Sequence, residues 1–281
     1  QILVRELRGA EFIQRGAIAV DSGIRPTGFA YNARHQLLAW TEGTSSTSLY
    51  LASLAAPGRR IELKSDAPGI LPFRFSEDGN YLAAKGQDTL RAWNVETGQI
   101  VASINKRVED SAFAAGGRVL VAAITIRLGN NHEIRFYDLV HSDRAFRSFF
   151  GRYFSGSLAV SPAGGLVASA NFGGQVRLFD PAKDELEPLH GHIGPVRGIA
   201  FSADGRRLIS TSGGREAVKL WDVGTRQELL TLGGTGSFLV AARWSADGDV
   251  ILAGPPWQAW RAPSWEEIAA AEAKEKTEVQ R

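Results

Sequence analysis

The chain has 281 residues, with 32 basic and 30 acidic side chains and a formal net charge of +2. Hydrophobic residues make up 44% of the sequence and charged residues 22%, a balance that supports a large core and excludes a disordered chain. No basic block interleaved with aromatic residues occurs, so nucleic acid is not expected as a partner.

Cysteine is absent, which excludes disulfide bonds and thiolate metal sites. Apart from His192 the histidines are dispersed, so neither a bound metal nor another cofactor is expected: His35, His132, His141 and His190. No apolar run reaches the roughly 18 residues of a membrane span. Without a signal peptide or an initiator methionine, the sequence predicts a fragment or processed chain that is soluble and monomeric, with the cytoplasm favoured.

Two segments near the N-terminus have the residue pattern of β-strands, ILVRELRG (2–9) and GAIAVDSG (16–23). Beyond them the chain repeats itself about every 40 residues, the period of a propeller blade. A bulky residue recurs near the end of the third strand of each unit, at gaps of 42, 44, 42, 42 and 39 residues: Leu51, Trp93, Tyr137, Phe179, Trp221 and Trp260.

A second marker has the same period and lies between the first two strands of each unit. The turn sequences are YNARHQ (31–36), FSEDGN (75–80), FAAGGR (113–118), VSPAGG (160–165), FSADGR (201–206) and WSADGD (244–249). Two independent markers with one period predict repeated antiparallel sheets. Continuously apolar strands such as VLVAAI (119–124) further predict sheets that are buried on both faces.

The clearest unit is GHIGPVRGIAFSADGRRLISTSGGREAVKLWDV (191–223), with Gly-His at its start and Trp-Asp near its end. It resembles the WD-repeat family, and a weaker resemblance covers most of the chain. The resemblance implies an all-β fold, a β-propeller of four-stranded antiparallel blades. Six complete units favour six blades. A seventh, incomplete blade is the alternative, because residues 2–9 resemble another third strand.

The two ends of the chain suggest how the ring closes. The last unit has three strands, and residues 16–23 are similar to a fourth strand, so we expect a propeller over residues 1–263 closed by that segment. Residues 264–281 predict a short C-terminal helix with Ser264 as its N-cap. The stretch from Trp260 to Lys276 is similar to the end of WD-repeat regions in large bacterial regulatory proteins.

The WD-repeat resemblance also implies a structural hydrogen-bonded tetrad. His192, Ser210 or Ser212, and Trp221 match three of its members, whereas the aspartate is missing and only Glu216 could replace it. A catalytic role for these residues is not expected, because no nucleophile-elbow sequence is present. Gly-Thr-Gly-Ser (234–237) lacks the ending of a phosphate-binding loop, and the turn with Asp247 and Asp249 lacks the ligands of a calcium loop.

No catalytic or metal residue is therefore predicted, and the chain is expected to be a non-enzymatic protein-interaction scaffold or sensory module. Its protein or peptide partner should bind the face that carries the long segment from Thr125 to Glu133. The candidate contacts are Arg127, Asn130, Asn131, His132, Phe73, Arg74, Phe172, Arg197, Phe238, Arg243 and Trp257. The alternative is a propeller enzyme or small-ligand binder, which a convergent cluster of titratable residues in the channel mouth would favour.

Overall fold

A computed structural model describes residues 2–8, 11–20, 26–127, 131–140, 145–152, 154–180, 182–183, 185–245 and 248–261. Within these ranges the chain forms 25 β-strands and one short 3-10 turn, Ala115–Gly117. The described residues include no helix long and apolar enough to cross a membrane. The predicted C-terminal helix (264–281) lies outside the described residues. The all-β class predicted from the repeats is confirmed.

Seven antiparallel sheets follow one another along the chain. The first is a two-stranded N-terminal hairpin of β1 (Ile2–Arg8) and β2 (Glu11–Ile18), and the six that follow it are numbered sheets 1 to 6. Sheet 1 contains β3 (Pro26–Asn32), β4 (Leu37–Glu42), β5 (Ser48–Ser53) and β6 (Ala56–Lys64). Sheet 2 contains β7 (Leu71–Phe75), β8 (Tyr81–Lys85), β9 (Leu90–Asn94) and β10 (Ile100–Ile104). Sheet 3 contains β11 (Val108–Ala114), β12 (Val119–Arg127), β13 (Asn131–Asp138) and β14 (Ala145–Arg152).

The remaining sheets continue this up-and-down order. Sheet 4 contains β15 (Phe154–Val160), β16 (Val167–Asn171), β17 (Val176–Asp180) and β18 (Glu185–Leu189). Sheet 5 contains β19 (Gly198–Phe201), β20 (Arg207–Thr211), β21 (Gly214–Asp222) and β22 (Glu228–Gly236). Sheet 6 contains β23 (Ala241–Trp244), β24 (Val250–Gly254) and β25 (Gln258–Arg261). Sheets 1 to 6 correspond to the six complete units of the sequence, and the predicted β-propeller architecture is confirmed.

The hydrophobic core lies between successive sheets. β12 shows the arrangement, because its side chains point alternately to the two neighbours. Leu120 and Ile124 pack in the cluster shared with sheet 2, and Val121 and Ala123 pack in the cluster shared with sheet 4. All four residues are fully buried. The continuous apolar run in this strand therefore reflects burial on both faces, as its sequence predicted.

The turn between the first and second strands repeats one hydrogen bond. In sheets 2, 4, 5 and 6 a serine Oγ accepts the backbone N–H five residues later: Ser76 from Tyr81 (2.9 Å), Ser161 from Leu166 (3.0 Å), Ser202 from Arg207 (3.0 Å) and Ser245 from Val250 (2.8 Å). Serine is favoured in such turns because its hydroxyl replaces a backbone partner. This bond explains why a serine recurs at this position of the turn.

A second repeated bond ends the third strand. The residue after the bulky aromatic accepts a backbone N–H two or three residues later: Asn94 from Glu96 (3.0 Å), Asp138 from Val140 (2.9 Å), Asp180 from Ala182 (2.9 Å) and Asp222 from Thr225 (2.7 Å). Asn and Asp side chains form such turns readily. The aspartate of the Trp-Asp pair thus shapes the turn into the fourth strand, while the preceding aromatic is buried.

The N-terminal hairpin packs against sheet 1. Val4 and Ile18 share a buried cluster with Leu38, Trp40 and Ala52. Within the described residues, β2 pairs with β1 from Ile2↔Ile18 to Arg8↔Glu11. This is the arrangement expected for the last two strands of an incomplete seventh blade. Closure of the ring by pairing residues 16–23 with sheet 6 stays a prediction.

The hairpin's contribution to stability can be measured with two matched variants. Ile18 is fully buried against sheet 1, whereas Leu3 is 45% exposed on the opposite face of β1. We expect Ile18→Ala to lower the free energy of unfolding by about 2–5 kcal/mol, the usual cost of truncating a buried Ile. Leu3→Ala should change it by less than about 0.5 kcal/mol. Equal effects of the two variants in urea unfolding would show that the hairpin does not pack on sheet 1.

Candidate interaction surface

Sheet 5 contains a buried hydrogen-bonded chain of three side chains. Trp221 Nε1 donates to Ser210 Oγ at 2.7 Å, and the same oxygen lies 2.7 Å from His192 Nε2. β21 supplies Trp221 and β20 supplies Ser210, while His192 lies on the connection from sheet 4. Ser212, the other serine considered from sequence, instead donates to the carbonyl of Pro195 at 2.9 Å. These hydrogen bonds thus connect the loop before sheet 5 to two strands of that sheet.

The ring of His192 has one nitrogen without a partner. Among the described residues, none hydrogen-bonds to its buried Nδ1. Glu216, the only acidic residue that could replace the missing aspartate, accepts the backbone N–H of Ile193 at 3.3 Å. Desolvation and the nearby charge of Lys219 lower the pKa of His192 from 6.5 to about 4. The imidazole is therefore neutral at physiological pH, which suits a structural role.

A small cavity of about 230 Å³ lies among the first strands, at their N-terminal ends. We call it the arginine opening and define it by Phe73, Arg74, Asp110, Arg197 and Arg243, all of which line it. β7 bulges between Pro72 and Arg74, and β11 bulges between Val108 and Asp110. Because a bulge interrupts strict alternation, adjacent residues such as Phe73 and Arg74 can both line the opening.

Two exposed aromatic rings flank Arg197 at the arginine opening. The guanidinium carbon lies 4.9 Å from the ring centre of Phe238 and 5.5 Å from that of Phe172. These rings are 54% and 45% exposed. Gly213 lets Phe238 approach the backbone closely, since a Cβ at this position would lie 2.4 Å from the ring. Both rings therefore make cation–π contacts with the same guanidinium group.

The charged side chains at the opening differ in their partners and in the direction of their pKa shifts. Asp110 is buried and accepts the N–H of Leu158 at 2.6 Å and of Ser111 at 2.8 Å. Burial raises the pKa of Asp110, and the charge of Arg74, at 3.8 Å, opposes that change. Desolvation and the like charge of Arg74 lower the pKa of Arg243. The opening therefore holds cations close enough to repel one another.

The sequence predicted part of this cluster and missed part. Of the residues selected from sequence, Phe73, Arg74, Arg197 and Arg243 line the cavity, while Phe172 and Phe238 flank Arg197. The residues missed were Lys85, Glu109, Asp110 and Val240. The available signal was the pair of acidic residues in the first strand of sheet 3, because the first strands of sheets 2 and 4 have no carboxylate.

The other selected residues lie elsewhere. Trp257 is 62% exposed on the turn between β24 and β25, where its ring packs on Gly254. Arg127 and Asn131 pair at the ends of β12 and β13, and Thr125 pairs with His132. Most of the segment from 125 to 133 is therefore an extended hairpin. Asn130 lies outside the described residues.

A larger cavity of about 740 Å³ extends from the arginine opening past the first strands. It shares Arg74 and Arg243 with the smaller cavity and reaches the turns between first and second strands, where Arg34 and Glu77 line it. The part of the chain that the structure describes holds no cluster of three or more His, Cys, Asp or Glu residues able to bind a metal ion.

Trp221 can be compared with an exposed tryptophan of the same chain. Trp221 is 1% exposed and hydrogen-bonded, so we expect Trp221→Ala to lower the free energy of unfolding by about 3–5 kcal/mol. Trp257→Ala, at a 62% exposed side chain, should cost less than about 1 kcal/mol. Denaturant unfolding measures both. A loss below about 1 kcal/mol for Trp221→Ala would contradict a structural role for the buried chain.

The low pKa of His192 predicts a pH dependence of stability. The folded state disfavours the charged ring, so stability is full above the unfolded-state pKa near 6.5 and falls as pH decreases toward about 4. Between about pH 7 and pH 5 this group alone should remove about 2 kcal/mol of the unfolding free energy. His192→Gln does not titrate, so the difference in pH slope between the two proteins isolates the effect. Parallel slopes would show that His192 is not desolvated.

The WD domain, G-beta repeat family matches residues 184–222, the unit that contains the buried His–Ser–Trp chain. SEC12-like protein 2 of Arabidopsis thaliana is 27% identical over 147 residues, or 49% of this chain and 37% of that protein. The guanine nucleotide-binding protein subunit beta of the same plant is 25% identical over 173 residues, or 56% of this chain and 45% of the relative.

A third relative is WD repeat-containing protein SL1-17 of Schistosoma mansoni, which is 30% identical over 159 residues, or 55% of this chain and 51% of the relative. The chain thus spans about half the length, or less, of these relatives. The repeated turn serines, the capped third strands, the matched unit and the WD-repeat relatives together support a WD-repeat protein with a β-propeller fold.

Proposed function

We propose that this chain is a non-enzymatic protein-interaction module that binds its partner at the arginine opening. The observation that carries the proposal is the pair of exposed phenylalanines, Phe172 and Phe238, both in cation–π contact with Arg197. Aromatic residues and arginine are the preferred anchors of protein interfaces. Here they project from loops between strands whose other residues are buried in the propeller core.

The packing of these anchors supports a binding role. The close approach of Phe238 to Gly213 and of both rings to Arg197 restricts the rotamers before a partner arrives. Preorganised side chains lose less conformational entropy on association, so more of their contact energy contributes to affinity. The extended β12–β13 hairpin belongs to the same face, because the connections between second and third strands emerge where the first strands begin.

The carboxylates at the opening support a binding role over a catalytic one, because both accept hydrogen bonds from the protein itself. Asp110 accepts two backbone N–H groups, and Glu109 accepts hydrogen bonds from Arg107 (2.8 Å) and the Thr125 hydroxyl (2.8 Å). These bonds engage both carboxylates within the protein, where they stabilise its structure. One relative's name also describes a subunit, the beta subunit of a guanine nucleotide-binding protein, and we extend that role in assemblies to this chain as part of the proposal.

A second candidate function is binding of a small anion in the central cavity. The convergence of Arg74 and Arg243 on the 740 Å³ cavity favours it. The two functions differ in what they require. A protein partner needs the exposed rings of Phe172 and Phe238, whereas a small anion inside the cavity needs only the cations.

The proposal is tested by partner capture with matched variants. The double variant Phe172→Ala/Phe238→Ala removes the exposed anchors. The control Leu186→Ala/Leu229→Ala removes two exposed leucines (38% and 52%) on the outer strands β18 and β22. We expect the wild type and the control to capture the same proteins, and the anchor variant to bind the purified partner at least about tenfold more weakly.

Calorimetry against the purified partner supplies the affinities, and melting temperatures check that all variants fold. Equal affinity of the anchor variant and the wild type would exclude this opening as the interface. Capture that weakens equally in the control would indicate a surface on the outer strands instead.

A further inference from the structure

The arginine opening carries more positive than negative side chains. Four cationic residues line it, namely Arg74, Lys85, Arg197 and Arg243, against two acidic residues, Glu109 and Asp110. The net charge of this concave site, four cations less two carboxylates, equals the +2 of the whole chain, so the positive excess is concentrated here. A cleft with one predominant sign attracts ligands of the opposite sign.

The two carboxylates offset only part of the charge of the four cations. The oxygens of Asp110 accept backbone N–H groups of Ser111 and Leu158, and its distance to Arg74 is 3.8 Å, long for a hydrogen bond. Glu109 accepts from Arg107 and Thr125 on the side of sheet 3. Both carboxylates therefore also hold the protein's own strands.

Two of the arginines, Arg197 and Arg243, have guanidinium hydrogen-bond donors that are available to a ligand. Arg243 lines both cavities and donates to the carbonyl of Ala242 at 2.8 Å. Neither Arg243 nor Arg197 has a carboxylate within ion-pair distance among the residues the structure describes. The buried Nε of Arg197 has no hydrogen-bond partner within that same part of the chain. Both guanidinium groups therefore carry their charge without a carboxylate partner in that part of the chain, and a carboxylate of a ligand could pair with them.

We propose that the arginine opening binds an acidic peptide segment of the partner, with carboxylates paired to Arg197 and Arg243 and an apolar side chain against the exposed surfaces of Phe172 and Phe238. The inference rests on the proposed function and adds the chemistry of the partner. Arginine presents two parallel donors that match a carboxylate, which gives orientation as well as affinity.

The surroundings favour a peptide over other anions. Exposed Phe172, Phe238 and Val240 border the cations, and they offer apolar contacts that an inorganic anion cannot use. A nucleic acid needs cations distributed along the length of its backbone, whereas the cations here converge on a cavity of about 230 Å³. A short peptide with one or two acidic residues next to an apolar residue fits both features.

The test uses a random peptide pool selected on the immobilised full chain. We expect the enriched peptides to contain Asp or Glu next to an aromatic or aliphatic residue. The most enriched peptide is then synthesised with its acidic residues intact and with each replaced by Asn or Gln. The acidic form should bind at least about tenfold more tightly in fluorescence anisotropy, and high salt should reduce the difference.

Three protein variants locate the site. Arg243→Glu and Arg197→Gln should each weaken binding of the acidic peptide, and the amide peptide should respond less. Arg34→Glu makes the same charge change as Arg243→Glu, but on an exposed residue at the opposite end of the central cavity, and should leave binding unchanged. Melting temperatures confirm folding, and if one arginine variant is unfolded the other still tests the site.

Four results would overturn the inference. They are enrichment of neutral or basic peptides, equal binding of the acidic and amide forms, equal loss in Arg34→Glu, and equally tight binding of a single-stranded oligonucleotide. Stabilisation by inorganic phosphate as large as that by the peptide would reassign the site to small anions. If the acidic peptide fails while the captured partner still depends on Phe172 and Phe238, the acidic chemistry is wrong and the proposed function stands.

Discussion

Burial of both faces of each sheet by its neighbours is the constraint on which the rest of this molecule depends. Side chains at even and odd positions of β12 enter two different clusters, so one strand contributes to the contacts with sheets 2 and 4. No single sheet could bury its apolar residues alone. Stability therefore comes from stacking repeated units, and the hydrophobic effect acts between sheets that follow one another along the chain.

In the stacked sheets, polar and charged residues stabilise the structure at two places, the turns and the inner strands. In the turns, serine and aspartate side chains replace backbone partners, which fixes the entry and exit of each strand. In the inner strands, bulges bring charged residues of different sheets into one cavity. Asp110 is the clearest case, because a buried carboxylate on β11 holds the backbone of β15. The same geometry collects arginines that repel one another, and a ligand's acceptors would relieve that repulsion.

The buried His–Ser–Trp chain forms its hydrogen bonds although the tetrad's fourth member, the aspartate, is missing. Ser210 joins His192 and Trp221, and the nitrogen that an aspartate would pair is left without a partner in the described residues. The ring tolerates this because it stays neutral, as its low pKa indicates. The sequence identified His192 and Trp221 but not which serine joins them. The strand register decides that question, because Ser210 pairs with Lys219, two residues before Trp221 on β21, whereas Ser212 lies beyond the end of β20.

The sequence by itself determined the fold class, the repeat length and the strand order, because the period of bulky residues and of turn residues records local backbone geometry. It also selected several aromatic residues and arginines of the opening, since their loop positions follow from the repeat. Only the tertiary structure decided which of them meet. Trp257 lies apart on its own turn, whereas Lys85, Glu109 and Asp110 join the cluster. The reason is physical: contacts across the channel depend on bulges and on the stacking of distant sheets, and neither has a signature in a local stretch of sequence.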